Sequence, residues 1–243
     1  MRIVTIIQAR MGSTRLPGKV MKDLGGATVL AQVINRLRRA TLVGEVVVAT
    51  THDAADDVIV EECDRLSVAF FRGEQKDVLD RYYRAAHAFG AEAVVRITSD
   101  CPLIEPETTD RTISTFLDRR PDYASNAIQR TYPRGLDTEV MTSDALARTW
   151  REAREPYQRS HVTAYIYENP EKFDIVSVSG EADYSRHRWT LDTPEDLKFI
   201  RAVYERFGND PNVYWRDVLA LLECEPQLLE LNCRVRQKAL QEG

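Results

Sequence analysis

Cysteine is scarce in this 243-residue chain: Cys63, Cys101, Cys224 and Cys233 show no C-x-x-C spacing and no dense framework. That pattern argues against a thiolate zinc site and against a disulfide scaffold. No apolar run approaches the roughly 20 residues that a membrane span requires. Histidine is sparse too, four scattered residues, and no G-x-S-x-G is present, so the sequence offers no nucleophilic triad. Positive charge is not in excess. The formal charge of −5 disfavours a nucleic-acid or anionic-membrane surface, yet it leaves room for a local cationic cleft. Repeats, low-complexity tracts and flexible linkers are absent. A core strand starting at Arg2 leaves no space for a secretory signal, so a cytoplasmic protein is expected.

What is present is an alternation of apolar runs and amphipathic stretches. Ile3–Ile7, Glu45–Thr50, Ser67–Phe71 and Ala93–Thr98 read as buried strands. Between them, Thr28–Ala40, Asp53–Leu66 and Val78–Phe89 have helical spacing. In the first helix Val29, Val33, Ile34 and Leu37 form the apolar stripe, with Arg36, Arg38 and Arg39 outside it. This β-α-β-α-β-α-β order predicts an α/β fold with a mainly parallel sheet and right-handed crossovers. Further on, helices are expected at Glu107–Leu117, Ser143–Ala153 (capped by Ser143), Ser160–Glu168 and Pro194–Phe207. Short strands are expected at Tyr123–Asn126, Thr138–Met141, Phe173–Val178 and Arg188–Leu191. The length suits one domain, with a core over 1–207 and a C-terminal helical extension over 208–243.

Ligands of such sheets bind beyond the carboxyl ends of the strands. There the first strand empties into Gln8-Ala9-Arg10-Met11-Gly12-Ser13-Thr14-Arg15-Leu16-Pro17-Gly18-Lys19. Two glycines, two hydroxyls and the cations Arg10, Arg15 and Lys19 suit a polyphosphate, because backbone amides can approach it and fixed charges neutralise it. A solvated basic turn is the plainer alternative. The loop is not a Walker A motif, since Lys19 is not followed by Ser or Thr.

The loop resembles the A-R-x-G-S-x-R-x-P-G-K signature of the sugar cytidylyltransferases, and among them the spore-coat polysaccharide protein F type. Two later segments are similar to the same family. Val95-Arg96-Ile97-Thr98-Ser99-Asp100-Cys101-Pro102-Leu103-Ile104 matches V-x-x-x-G-D-x-P-L-I, with Ser99 in place of the usual Gly. Asp192-Thr193-Pro194-Glu195-Asp196-Leu197 matches D-T-P-E-D-L, with Thr190 where sialic-acid-type members carry the first acid of a D-x-D pair. The resemblance spans Arg2 to about Phe207. It implies a three-layer α/β/α, Rossmann-like nucleotide-diphospho-sugar transferase fold. It also implies a Mg²⁺-dependent transfer of CMP from CTP to a sugar acid or related anionic acceptor, in a homodimer. Arg10, Arg15, Lys19 and Asp100 would be catalytic, and Asp100 and Asp192 would hold Mg²⁺. Gln8, Ala9, Arg10, Gly12, Ser13, Thr14, Arg15, Lys19, Thr50, Asp53, Arg81 and Ser99 would surround the nucleotide.

Local readings compete with several of these roles. Asp100 can cap the helix near Glu107; Asp53 and Asp77 can cap their own helices, and Thr193, Glu195 and Asp196 form a strong helix start. For the acceptor, Arg134, Asp137, Glu139, His161 and Arg188 are candidates beside Gly135, Arg159 and Arg186, because cations bind carboxylate or phosphate in bidentate fashion. Two other functions remain open: a glycosyltransferase using a nucleotide-sugar, which would want the D-x-D that Ser99-Asp100-Cys101 lacks, and a non-catalytic nucleotide-binding partner.

Overall fold

The computed structural model describes residues 1–239. Strand β1 (Ile3–Gln8) is followed by a small antiparallel hairpin, β2 (Asp23–Leu24) and β3 (Ala27–Thr28). Helix α1 (Val29–Leu37), with Thr28 as its side-chain cap, leads to β4 (Glu45–Thr51). Then come α2 (Asp57–Leu66), β5 (Ala69–Gly73), α3 (Val78–Ala88), β6 (Ala93–Thr98) and α4 (Pro106–Arg119). The second half holds β7 (Tyr123–Ser125), β8 (Glu139–Thr142), α5 (Ser143–Glu152), α6 (Pro156–His161), α7 (Ala164–Glu168) and β9 (Ile175–Ser177). It ends in α8 (Pro194–Arg206), α9 (Trp215–Cys224) and a 3-10 turn at Pro226–Leu231. None of the described helices is long and apolar enough to cross a membrane.

Apart from the β2–β3 hairpin, the described strands form a seven-stranded sheet in the order β5-β4-β1-β6-β8-β7-β9. Pairings β1–β4, β1–β6, β4–β5 and β7–β9 are parallel, whereas β8 runs antiparallel to both β6 and β7. Successive residues of β1 serve opposite faces: Ile7 packs with α1, α2 and α4, while Val4 and Ile6 pack with α3, α5 and α7. Both faces are covered, which is why β1 reads as an unbroken apolar run. The result is a three-layer, Rossmann-like sandwich. The chain moves from β1 out to β4 and β5, then returns to the other side of β1 as β6. That reversal opens a crevice at the carboxyl ends of β1 and β6.

Four sequence expectations change. Arg188–Leu191 joins no sheet; it makes a single parallel bridge, Arg134 to Arg188. Gly135 allows the close approach: its φ is +111°, and a Cβ there would lie 2.7 Å from the Trp189 carbonyl carbon. The Ser160–Glu168 helix is two short helices, because buried Val162 turns to φ +64° between them. Thr142, not Ser143, caps α5 by accepting from Ala145 N. Arg36, placed outside the apolar stripe, is 1% exposed. It donates to the carbonyls of Ile104 (2.6 Å), Pro211 (2.8 Å) and Val213 (2.7 Å), and pairs with Glu105 at 3.4 Å. A long cation can thus be internal when carbonyls from distant segments surround it.

Candidate active site

The loop after β1 closes on itself. The Met11 carbonyl accepts from both Ser13 N (2.8 Å) and Gly18 N (3.0 Å), and Gly18 takes the left-handed φ of +65° that this ring needs. Buried Asp56 fixes the loop from outside: it accepts from Met11 N at 2.7 Å and from both threonine hydroxyls at the end of β4, Thr50 and Thr51. No local pattern marked Asp56, because its task is to join two loops.

Lys19 reaches out of this loop into the crevice. Its Nζ donates to Asp100 Oδ2 at 2.8 Å, Asp192 Oδ1 at 2.9 Å and the Leu191 carbonyl at 2.9 Å, using all three of its protons. The two aspartates are brought together through backbone. The Asp100 carbonyl accepts from Leu191 N at 2.8 Å and from the Thr190 hydroxyl at 3.3 Å. Thr190 therefore fastens the segment instead of supplying a third carboxylate. Arg15 (3.2 Å) and Arg188 (2.8 Å) also pair with Asp192. Burial pushes the Asp100 carboxyl up, but the Lys19 charge and its hydrogen bond, with help from Thr98, overcome this and hold it down at about 2. Burial likewise works against the Lys19 ammonium, and the two aspartates more than compensate, raising its pKa.

Around this cluster lies a cleft of about 850 Å³, within the usual range for small-molecule sites. Its wall carries Arg10, Arg15, Lys19, Lys76, Arg81, Arg154, Arg159 and Lys238 against the acids Asp77, Asp100 and Asp192, in a chain of formal charge −5. The cleft is a local positive potential set in an acidic molecule. A cytidylyltransferase family model matches residues 4–219. The chain belongs to the cytidylyltransferase family. The spore coat polysaccharide biosynthesis protein SpsF of Bacillus subtilis is 33% identical over 233 residues, covering 92% of this chain and 95% of that one. A cytidylyltransferase structure from Leptospira borgpetersenii is 34% identical with a TM-score of 0.91, covering 98% of this chain and 99% of its own. The structure of CMP:2-keto-3-deoxy-manno-octonic acid synthetase complexed with CTP shares the fold at a TM-score of 0.67 and 18% identity, covering 85% of this chain and 99% of that one.

In this cytidylyltransferase, Gln8, Ala9, Arg10, Ser13, Thr14, Arg15, Lys19, Arg81, Ser99, Asp100, His161 and Asp192 all line the cleft. Arg81 is 1% exposed, and its buried Nε lacks a hydrogen-bond partner at the cleft wall. Burial lowers its pKa, and the nearby Arg10 charge adds to the effect. Gly12, Thr50 and Asp53 do not reach the wall. A Cβ at Gly12 would meet only Gln75 Nε2, at 3.5 Å; Thr50 is wholly buried against Asp56, and Asp53 caps the 3-10 turn Ala54–Asp56 by accepting from Ala55 N.

Four expected acceptor residues fall elsewhere for identifiable reasons. Asp137 is held in a two-pronged pair with Arg130 (2.5 and 2.7 Å), and Glu139 is buried against Arg96 at 2.8 Å and the Thr163 hydroxyl. Arg188 is occupied by Asp192 and Asp196, and half-buried Arg134 lies off the cleft beside Arg130 and Arg188. Arg159 does line the cleft, but every nitrogen is engaged, with Asp77 and the Trp150 carbonyl, as a clamp between α6, α3 and α5. Lys76 and Arg154 were missed. Neither side chain makes a hydrogen bond or ion pair among the described residues, and nothing in their immediate sequence separates them from ordinary surface charges. Cys101 touches the site but is no nucleophile: burial, together with Asp100, pushes its thiol well above the usual value.

Proposed function

We propose that this enzyme transfers CMP from CTP to the hydroxyl of a sugar acid or related anionic acceptor and releases pyrophosphate. The observation that carries this reading is Lys19, held between Asp100 and Asp192 at the mouth of the Arg10–Lys19 loop. Family membership and the CTP in the synthetase of shared fold support cytidine as the base. The acceptor oxygen attacks the α-phosphorus in line. A bond forms between that oxygen and phosphorus, the bond to the oxygen bridging α and β phosphates breaks, and the acceptor proton leaves to solvent.

Arg10, Arg15 and Lys19 would neutralise the charge that accumulates on departing pyrophosphate, and loop amides would orient the triphosphate. Arg81, with its spare buried donor, would sit at the nucleoside, and Lys76 and Arg154, with His161, would receive the anionic group of the acceptor. Asp100 and Asp192 fit Mg²⁺: their two carboxylates already converge on the Lys19 Nζ, and Mg²⁺ commonly takes one or two carboxylates plus substrate phosphates. Among the described residues no group of three or more His, Cys, Asp or Glu could hold a metal without substrate. When bound there, the ion would polarise the α-phosphate and balance its charge.

Thermal unfolding with CTP, UTP, ATP, GTP and a panel of nucleotide-diphosphate sugars, each with and without Mg²⁺, tests the proposal. A ligand at 100 times its Kd adds about 2.7 kcal/mol. A shift selective for CTP, enlarged by Mg²⁺ and lost in Lys19→Met, is expected. Shifts only with nucleotide-diphosphate sugars would favour a glycosyltransferase and overturn the reading.

A further inference from the structure

The family match ends at residue 219, yet the chain beyond it returns to the cleft. After the 3-10 turn, Asn232 is 6% exposed, and its Nδ2 donates to the Arg188 carbonyl at 3.0 Å and to Asp196 Oδ1 at 3.1 Å. Five residues later the Gln237 Oε1 accepts from Arg188 Nη1 at 2.6 Å. Arg188 thus grips the segment at both ends while its Nη2 holds Asp192 Oδ2 at 2.8 Å. The next residue, Lys238, lines the cleft with Arg15 and Lys19.

We infer that segment 232–239 is a working wall of the active site, and that Lys238 binds the phosphates of the nucleotide or of pyrophosphate. Three physical points support it. One Cα step of about 3.8 Å separates Lys238 from the anchored Gln237, so its reach is limited by that anchor. Lys238 is exposed inside a cation-rich cleft, whose summed positive potential attracts an incoming polyanion. Lysine is also suited to this work as a compact charge with three rotatable donors, needing no bidentate geometry. The shared contact with Arg188 means that the segment and the Asp192 carboxylate are held by one side chain, so the wall and the proposed metal ligand keep a common position.

This rests on the CTP reading above, and the test separates the two. Full-length wild type, Lys238→Gln and Lys238→Arg are titrated with CTP and with CMP by calorimetry. Lys238→Gln should weaken CTP by about threefold to tenfold while leaving CMP nearly unchanged, and Lys238→Arg should restore CTP. In wild type, CTP but not CMP should slow tryptic cleavage after Arg234 and Arg236. Equal CTP affinity in wild type and Lys238→Gln, or equal weakening of CTP and CMP, would overturn the role of Lys238 alone. Wild type that binds no CTP at all would overturn both readings.

Discussion

At the scale of single residues, partners decide what a side chain does. His187 is 6% exposed, and its Nε2 accepts from Arg186 Nε at 3.4 Å, which requires a neutral ring with the proton on Nδ1. Burial, seconded by the Arg186 charge, lowers its pKa. The unfolded chain therefore binds a proton more readily than the folded one. The stability contributed by neutral His187 is present above the unfolded value near 6.5 and is lost as the pH falls through the depressed folded value. Urea unfolding should show a steeper loss of stability below pH 6.5 in wild type than in His187→Gln; parallel curves would refute the assignment. The same lesson covers Thr190 and Lys19. A threonine takes an acid's place in the motif and serves as a backbone fastener, and a lysine of the loop after β1 rests between two carboxylates.

At the scale of elements, turns and caps determine where the functional segments can lie. Helix α8 begins with a reciprocal cap: Thr193 Oγ1 accepts from Asp196 N, and Asp196 Oδ2 accepts from Thr193 N. Asp196 also binds Arg188, so this helix start is continuous with the site. The preceding segment is pressed against Gly135. Gly135→Ala should cost about 3 kcal/mol, since its Cβ meets backbone and its φ is foreign to L-residues. Because the displaced segment leads to Asp192, CTP affinity should fall as well. Chemical denaturation and calorimetry check both, and wild-type values for either would contradict the account. Much of this level was legible in the sequence: β1, β4, β6 and helices α1 to α4 follow short-range periodicity and capping residues. The split of α6 from α7 was not, because buried Val162 accepts a left-handed backbone that its own sequence disfavours.

At the scale of the whole molecule, one internal cation joins three parts of the chain. Arg36 links α1, the turn after β6 and the 211–213 segment ahead of α9. Burial lowers its pKa and raises that of Glu105, while each charge works in the opposite direction on the other. Arg36→Met should destabilise the fold by about 3 kcal/mol or more, through orphaned carbonyls and an unpaired Glu105. Adding Glu105→Gln should recover part of that loss in a double-mutant cycle. Strict additivity of the two would show that the pair is not coupled.

The sequence by itself determined the alternating elements, the apolar runs of a sheet covered on both faces, and the glycine- and cation-bearing loop after β1. It also marked Asp100 and Asp192 through their motifs. These features are local: a period of two or 3.6, a cap or a glycine is written within a few residues. Only the tertiary structure decided which charges meet. Lys19 lies 81 residues from Asp100 and 173 from Asp192, and Asn232 lies 44 from Arg188. A charged side chain looks the same in sequence whether it faces water, clamps two helices as Arg159 does, or waits in a cleft as Lys76 and Arg154 do. Its energy depends on desolvation and on the nearest opposite charge, and both are set by chain segments far away along the backbone.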